Sequence, residues 1–449
     1  MSHVRQIINL AKGHPNPSLL PVNHVRAASV TAFSDPEIFT AQSSLLYAPD
    51  DGYRPLKENV KAWLSRFYSD SPQIGADRIC ITGGASQNLA CVLQVFSDPT
   101  YTRNVWMVAP TYFHASRIFE DNGFYKRLRA VAEDEQGLDV EYLERGLRAS
   151  DEQAARQASP TSISPSKPPR PYSKIYRHLI YAVPTFSNPS SMTMSRLRRE
   201  QLVRVARSYD ALVITDDVYD QLLWSTDPDA SHTGIERAIL PRVVDIDRDL
   251  EGGPGRKGAD GFGNSVSNGS FSKIVGPGCR TGWAEGTPRF AWGLSQCGSS
   301  KSGGAPSQLV AAFMAHMLQS GTLQDHISQV LQPAYARRYK ILVSAVEKHL
   351  IPLGVTLPQN PRQIMGGYFA WLKLPEPLHA PEIAVAAQQD EDLLIAPGSA
   401  SAVWGDEAAV DLSRNIRLCF SWEDENNLTE GIARLARVIV KRQIANDQE

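Results

Sequence analysis

The sequence predicts an α/β protein in which a large domain, built on a mostly parallel sheet between helices, is joined to a smaller α+β domain. From about residue 79 to residue 218, short apolar runs alternate with helical patterns, the order expected of a parallel sheet covered by helices. After Pro306 the pattern is helical to about Leu350 and then mixes strand and helix, which predicts the smaller domain. With 449 residues, 42% of them apolar, the chain can bury a large core.

The charge balance favours a small-molecule ligand. A net charge of −2 provides no basic field for nucleic acid and no polybasic stretch for anionic lipid. The five cysteines form no CxxC pair, which favours a reducing compartment. The N-terminus lacks a signal-peptide pattern, and no stretch approaches the ~18 continuous apolar residues of a membrane helix. We therefore expect a cytoplasmic protein with neither nucleic acid nor membrane as a partner.

Polar side chains follow three predicted strands of the large domain. The strands are Val105–Ala109, Leu179–Val183 and Leu212–Thr215. Ligands bind beyond the carboxyl ends of strands in open α/β sheets, so the residues that follow these strands are candidates for a binding site. They are Tyr112, Asn188 and Asp216.

Two segments interrupt the pattern. Residues 149–173 are rich in Ser, Pro, Gln and Lys with almost no aliphatic residues, which predicts a flexible surface insertion. Residues 225–268 carry several Gly, Pro and Asp turns and predict a second excursion before a strand delivers Lys273.

Lys273 is the strongest chemical candidate. The run from Ser270 to Arg280 combines hydroxyl residues, one lysine, a Gly-Pro-Gly turn and an arginine. Burial and a nearby positive charge favour a neutral lysine amine that can form a Schiff base, and Arg280 can hold a phosphate with two hydrogen bonds. The run indicates pyridoxal phosphate chemistry, and an exposed Lys and Arg beside an ordinary loop is the alternative.

Asp216, Tyr219 and Asn188 are candidates to contact the cofactor ring. A carboxylate paired with the ring nitrogen makes the ring an electron sink, which suits Asp216. Tyr219 and Asn188 can donate to the ring phenolate oxygen. A helix N-cap is the alternative for Asp216, and a plain Asn-Pro turn is the alternative for Asn188.

The segment from Thr82 to Leu89 predicts phosphate contacts at Gly84, Ala85 and Ser86, because glycines admit close approach and helix N-termini bind anions. A Gly-Gly turn without a ligand is the alternative. Tyr112 can stack on the pyridine ring or pack on the domain's own core.

Arg417 stands inside an otherwise apolar strand near the C-terminus. Since a charge seldom occupies such a position unpaired, Arg417 is a candidate clamp for a substrate α-carboxylate. A salt bridge to an internal acid is the alternative.

Taken in chain order, these motifs resemble those of the fold type I pyridoxal phosphate enzymes, specifically the class I/II, aspartate aminotransferase-like, aminotransferases. The branch with aromatic and 2-aminoadipate aminotransferases is the most similar, through its Gly-Gly-Ala-Ser-Gln and Pro-Thr-Tyr forms. The resemblance covers nearly the whole chain. It runs from the segments 9–17 and 47–53 to Gly366-Gly367-Tyr368-Phe369 and the Arg417 strand.

The resemblance implies an aspartate aminotransferase-like fold. A large domain of residues 45–315 would hold a mostly parallel seven-stranded sheet between helices, and residues 1–44 and 316–449 would form the small α+β domain. It implies pyridoxal 5'-phosphate as cofactor and a homodimer with composite active sites.

The resemblance also assigns roles to residues. It implies Lys273 as aldimine lysine and proton shuttle that leads to a quinonoid, and Arg417 on the substrate carboxylate beside Gly13, His14 and Asn188. His14 is either a polar substrate contact or solvated. The cofactor would be held by Asp216 on the ring nitrogen, Asn188 and Tyr219 on the phenolate oxygen, Tyr112 stacked on the ring, and Gly84, Ala85, Ser86, Ser270, Arg280 and the partner's Tyr47 around the phosphate.

The implied activity is transfer of an amino group between an amino acid and a 2-oxo acid. The alternatives are elimination or replacement on the same fold, similar to aminocyclopropane carboxylate synthase, and a ligand-sensing domain without catalysis. No metal is expected.

Overall fold

A computed structural model describes residues 6–34, 43–68, 74–157, 164–227, 235–301, 306–358 and 363–446. Its centre is a sheet with eight strands among these residues, in the order β2-β10-β9-β7-β6-β3-β4-β5. β10 and the two-residue β5 run antiparallel to their neighbours, and the rest of the sheet is parallel. The expected mostly parallel sheet is confirmed, and β5 adds a short hairpin to the seven predicted strands. The strands of this sheet are β2 (Ile79–Thr82), β3 (Val105–Ala109), β4 (Leu128–Asp134), β5 (Gly137–Leu138), β6 (His178–Ala182), β7 (Ala211–Asp216), β9 (Ser265–Ser270) and β10 (Gly282–Glu285).

Helices cover the sheet because its inner strands are buried along their whole length and need apolar partners on both faces. Within the described residues, none is long and apolar enough to cross a bilayer. The helices are α1 (Val22–Ser34), α2 (Arg54–Phe67), α3 (Ala85–Phe96), α4 (Phe113–Phe119), α5 (Val140–Gln157), α6 (Arg196–Ser208), α7 (Val243–Asp249), α8 (Pro288–Ser295), α9 (Gln308–Gln319), α10 (Thr322–His326), α11 (Gln332–His349), α12 (Ala380–Glu391) and α13 (Glu425–Asn446).

The two ends of the described chain meet in smaller sheets beside the large one. β1 (Ile8–Asn9) pairs in parallel with β13 (Leu393–Leu394). β15 (Asn415–Cys419) lies between β12 (Phe369–Lys373) and β14 (Ala396–Pro397), and β8 (Leu223–Ser225) pairs with β11 (Ile364–Gly366). This arrangement brings the N-terminal segment to the strand that carries Arg417. The domain boundary at residues 44/45 and 315/316 stays a prediction.

The predicted flexible insertion at 149–173 is wrong for most of its length. Its first part continues α5 to Gln157, where Asp151 pairs with Arg103, Arg177 and His178. After residues 158–163, which lie outside the described residues, the backbone N–H of Lys167 donates to Asp98 Oδ2 at 2.7 Å. Low aliphatic content did not prevent order, because half-buried ion pairs and hydrogen bonds anchor the segment.

The predicted excursion at 225–268 is likewise shorter than expected. Within its described part, α7 covers Val243–Asp249, and β9 begins at Ser265 rather than after residue 268. The β9 sequence, Ser-Val-Ser-Asn-Gly-Ser, is polar yet buried at every residue, because small side chains hydrogen-bond inside the sheet. Its polar and apolar residues therefore do not alternate in the way that predicts a strand.

A buried ion-pair cluster fixes α7 to the sheet. Arg242, 1% exposed, lies 2.9 Å from Asp245 and 2.7 Å from Glu285 of β10. Its guanidinium also covers the ring of Tyr68 at 4.1 Å. Arg248 lies 3.2 Å from Asp245 and Arg78 3.6 Å from Glu285, so Arg242 is the closest of the cations that compensate these buried carboxylates.

We expect Arg242→Met to lower the free energy of unfolding by about 3 kcal/mol or more, because two buried carboxylates lose their closest cation. Urea unfolding of the variant and the parent measures this. Arg204→Met is the matched control, since Arg204 pairs with Glu251 at the surface, 2.8 Å away. Equal losses in the two variants would contradict the structural role of the Arg242 cluster.

Candidate active site

The carboxyl ends of β7 and β9 place two titratable side chains side by side. β7 ends at Asp216 and β9 at Ser270, and a 3-10 turn over Phe271–Lys273 follows β9. Ser270 caps that turn, because its hydroxyl accepts from the backbone N–H of Ser272 at 3.1 Å. The turn directs Lys273 inward, where its Nζ donates to Gly13 O at 3.2 Å.

Burial controls the charge of Lys273. It lowers the pKa of Lys273 to about 8, with Asp216 and Cys419 opposing that shift and Arg417 adding to it. A lysine with this pKa supplies far more neutral amine at neutral pH than an exposed one. The side chain is thus prepared to act as a nucleophile and as a base.

Burial shifts the pKa of Asp216 in the opposite direction from that of Lys273. Burial raises the pKa of Asp216 to about 7, while a hydrogen bond from Tyr181 and the charge of Lys273 lower it. Tyr181 Oη donates to Asp216 Oδ2 at 3.2 Å. Asp216 Oδ1 is buried with no hydrogen-bond partner among the described residues.

Aromatic rings surround the lysine. Nζ of Lys273 lies 5.6 Å from the ring centre of Tyr219 and 5.1 Å from that of Tyr368. Tyr219 also packs edge-on against Phe369, with ring centres 6.1 Å apart. Burial raises the pKa of Tyr219 well above its usual value, so its hydroxyl stays protonated and can donate. Tyr112 is near enough to Asp216, Arg417 and Arg280 for all three to affect its pKa, which burial raises to about 12.

Arg417 joins β15 to this group. Its Nη1 donates to Asn188 Oδ1 at 3.0 Å and its Nη2 to Ala11 O at 2.7 Å. The guanidinium lies 4.5 Å above the ring of Phe369. The partners in these contacts are an amide, a carbonyl and a ring, and no acidic residue among those described forms a salt bridge with Arg417.

The start of α3 forms a cradle of backbone N–H groups. Gly84 precedes the helix with φ of +99°, and a Cβ there would lie 2.7 Å from Nη2 of Arg280. Arg280 itself has left-handed backbone angles and donates to Gly83 O at 3.1 Å. Ala85 and Ser86 open the first turn of α3, where N–H groups are free for an anion.

The N-terminal segment closes the other side. His14 lies edge-on to Trp422, with ring centres 6.1 Å apart, and Lys12 Nζ is 3.5 Å from the Trp422 ring centre. Burial lowers the pKa of His14, and the charges of Lys12 and Lys273 lower it further. A Cβ on Gly13 would lie 2.8 Å from the Phe369 ring, so glycine is required at this close approach.

The predicted residues therefore fall into three places. Seven of them surround Lys273: Asp216, Tyr219, Tyr112, Asn188, Arg417, Gly13 and His14. Four lie at the cradle before α3: Gly84, Ala85, Ser86 and Arg280. Ser270 lies in the turn before Lys273. Tyr47 is not among them in this chain, because 82% of it is exposed.

Sequence reasoning missed three residues. Tyr181 binds Asp216 from within the neighbouring strand β6, and its place in a predicted buried strand concealed it. Tyr368 Oη donates to Lys273 O at 3.1 Å, although its Gly-Gly-Tyr-Phe motif was visible. His114 follows Tyr112 by two residues, and burial, aided by Arg417, lowers its pKa.

The family model described as aminotransferase class I and II matches residues 5–435. The chain belongs to the class I and II aminotransferases. It is 34% identical over 455 residues to an uncharacterized protein of Saccharomyces cerevisiae, with 98% of each chain covered. It is 27% identical over 438 residues to aromatic-amino-acid aminotransferase 1 of Thermococcus litoralis, covering 96% of this chain and 88% of that protein.

Among solved structures, this aminotransferase is similar to the kynurenine aminotransferase of Pyrococcus horikoshii. The TM-score is 0.75 at 27% identity, over 98% of this chain and 92% of the other. The predicted fold and the similarity to aromatic and 2-aminoadipate aminotransferases are confirmed. Membership of the family and the aminotransferases among its relatives show a pyridoxal phosphate-dependent aminotransferase.

The residues present fit this cofactor. The unpartnered Asp216 Oδ1 can accept from a protonated pyridine nitrogen, which would also relieve the burial that raises the pKa of Asp216. A phosphate matches the cradle before α3, where the positive φ of residue 84 favours glycine and leaves the backbone open beside Arg280. The Lys273 amine is buried and easily deprotonated, so it can bond to the carbonyl carbon of the cofactor.

We expect Asp216→Asn to stabilise the cofactor-free protein, increasingly so as the pH rises from 5 to 8. A carboxyl whose pKa is raised on folding, here to about 7, makes folding less favourable as pH rises from its unfolded-chain pKa to the raised value. Asparagine has no charge to bury and still accepts from Tyr181. Melting temperatures of the cofactor-free variant and parent at several pH values measure the effect.

Asp121→Asn is the control, because Asp121 is exposed beside Arg117. A pH-independent difference between Asp216→Asn and the parent would show that the Asp216 carboxylate is not held in a site that disfavours its charge.

Proposed function

We propose that this aminotransferase transfers the amino group of an aromatic amino acid to a 2-oxo acid, with pyridoxal 5'-phosphate held at Lys273. The buried Lys273 amine beside Asp216 and Arg417 is the observation that carries the proposal. We assign the cofactor to Gly84, Ala85, Ser86, Tyr112, Asn188, Asp216, Tyr219, Ser270, Lys273, Arg280 and the partner's Tyr47, and the substrate to Arg417, Gly13, His14 and Asn188.

Each residue has a defined task in this proposal. When bound, the cofactor supplies an electron sink conjugated to the substrate Cα. Asp216 keeps the ring nitrogen protonated, and Tyr219 and Asn188 Nδ2 donate to the ring oxygen. Lys273 Nζ takes the proton from the substrate Cα while the amino group is exchanged and afterwards gives that proton up. The Lys273 pKa of about 8 permits both transfers near neutral pH.

Arg417 orients the amino acid through its α-carboxylate. Two of its nitrogens already donate to Asn188 and Ala11, which fixes the plane of the guanidinium. A substrate carboxylate bound in that plane brings the substrate Cα toward Lys273 and excludes water from Cα.

An aromatic side chain suits the walls near the amine. His14 and His114 have lowered pKa values, so both imidazoles are neutral at neutral pH. Trp422 and Phe369 add two more rings, and rings favour an aromatic partner. The T. litoralis relative acts by its name on aromatic amino acids, which supports the same class here.

The deciding experiment is a half-reaction. Phenylalanine, tyrosine or tryptophan added without an oxo acid should convert the bound cofactor lastingly to its amino form and release the matching 2-oxo acid. Glutamate and 2-aminoadipate, presented in the same assay, should react more slowly. An unchanged cofactor spectrum with loss of a side-chain group would show elimination instead, because the amino group would leave as ammonia.

A covalent test locates the lysine. Borohydride should fix the cofactor to the tryptic peptide that carries Lys273, and Lys273→Ala should lose both that adduct and at least 100-fold of kcat, as general acid-base groups commonly contribute about 10²–10⁴-fold. Lys12→Ala is the control and should retain the adduct. An adduct that persists in Lys273→Ala would assign the Schiff base elsewhere.

We also propose a homodimer in which Tyr47 completes the partner's site, and a cytoplasmic location for it. Leu45, Leu46 and Tyr47 are consecutive and 69%, 66% and 82% exposed, and Val30 and Phe33 of α1 are exposed as well. Such an apolar surface is typical of an interface. The five free cysteines support a reducing compartment.

Light scattering should give twice the 49.4 kDa mass of the chain. Two inactive variants, Lys273→Ala and Tyr47→Phe, should partly recover activity when unfolded together and refolded, because a mixed dimer then has one intact site. A mixture that stays inactive would place Tyr47 and Lys273 of one chain in the same site.

A further inference from the structure

Two thiols outside the active site meet at one serine hydroxyl. Cys91 lies on α3 and Cys297 two residues after α8. Ser299 Oγ is 3.4 Å from Cys91 Sγ and 3.3 Å from Cys297 Sγ, so the sulfur atoms are held within two hydrogen-bond lengths of each other. Both cysteines are buried, 3% and 1% exposed, whereas Ser299 is exposed.

The two thiols differ in acidity. A hydrogen bond from the Cys91 thiol lowers the pKa of Cys297 to about 6, and the hydroxyl and N–H of Ser299 and the N–H of Ser300 add to that effect. The same hydrogen bond, followed by burial, raises the pKa of Cys91. In contrast, burial raises the pKa of Cys80 to about 12 and also raises that of Cys279. The pair therefore combines a thiol that loses its proton more readily with one that keeps it, the combination from which a peroxide-reactive cysteine and its resolving partner are built.

We propose that Cys91 and Cys297 form a redox-sensitive dithiol, which hydrogen peroxide closes to a disulfide. The Cys297 thiolate attacks one peroxide oxygen, the O–O bond breaks, and the departing hydroxide takes a proton to leave as water. Cys297 is then a sulfenic acid. Cys91 sulfur attacks that sulfur, the S–O bond breaks, the S–S bond forms, and the released hydroxide takes the proton of Cys91. Two thiols and one peroxide thus give one disulfide and two waters.

The side chain of Gln87 connects the dithiol to the phosphate cradle. Gln87 Nε2 donates to Cys91 Sγ at 2.9 Å and to Ser300 Oγ at 3.3 Å, while its Oε1 accepts from the N–H of Gly83 at 3.0 Å. Disulfide formation draws Cys91 Sγ away from Gln87, so the support of Gly83 weakens. This step rests on the proposed cofactor site. We expect peroxide to weaken pyridoxal phosphate binding about threefold to tenfold, the effect of losing one hydrogen bond.

Peptide mapping tests the disulfide without reference to the cofactor. After stoichiometric peroxide and alkylation, non-reducing tryptic digestion should link residues 79–103 to residues 290–301, with loss of two hydrogens and two free thiols, reversed by dithiothreitol. The first peptide contains both Cys80 and Cys91, so variants decide between them. Cys80→Ser should keep the link, and Cys91→Ser and Cys297→Ser should each abolish it.

The outcomes separate the pair from other oxidation. Sulfinic acid at Cys297 without a link, a link that survives in Cys91→Ser, or unreacted Cys91 and Cys297 would each overturn the dithiol. Cys279→Ser removes the most exposed thiol and should leave the link unchanged, so its reactivity cannot be mistaken for that of the pair.

Titration of cofactor-free protein with pyridoxal phosphate tests the coupling. Gln87→Ala should weaken binding in the reduced protein and should remove the effect of peroxide. Two results would overturn the route through Gln87. One is a peroxide effect of the same size in Gln87→Ala, and the other is wild-type protein that carries the disulfide and binds pyridoxal phosphate with unchanged affinity. Failure of the cofactor to bind any form would instead refute the proposed function and leave the peptide link as the measure of the dithiol.

Discussion

Lys273, Asp216 and Arg417 are buried together, and the partial compensation between the charges of Lys273 and Asp216 is the constraint on which the rest of the structure depends. Burial disfavours the charged form of Lys273, of Asp216 and of Arg417 alike, and it is the largest influence on the pKa of each. The charges of Lys273 and Asp216 partly offset this cost for one another. The rings of Tyr219, Tyr368 and Phe369 exclude water around them, so small changes in charge there have large effects on reactivity.

The N-terminal segment completes this environment by supplying backbone carbonyls. Ala11 O accepts from Arg417 and Gly13 O from Lys273, while Ser421 donates to His14 O at 2.7 Å. Carbonyl oxygens stabilise cations without adding a full negative charge that would compete with a substrate carboxylate. The segment therefore holds Arg417 and Lys273 in place and still leaves Arg417 able to bind an anion.

The sequence predicted the parts of the site that leave a local pattern. Polar residues directly after apolar strands located Asp216 and Asn188, and a single charge in an apolar strand located Arg417. Tyr181 left no such pattern, because its partner is set by the alignment of β6 with β7 rather than by neighbours in sequence. β9 was missed as a strand at its start, since small polar residues satisfied inside a sheet resemble a loop. The anchoring of residues 164–173 by Asp98 and the meeting of Cys91 with Cys297 depend on contacts between distant segments, which periodicity does not encode.

The pairing of the two chain ends has a consequence for biosynthesis. The contact between Ala11 and Arg417 joins residues 406 positions apart, and Asn188 meets Arg417 across 229 positions. A ribosome therefore releases Asp216 and Lys273 well before β15, the strand that carries Arg417. Until β13 and β15 have been made, the N-terminal segment lacks the two strands that it contacts. The active site therefore cannot be complete before β15 has been synthesised, because Arg417 is part of that strand.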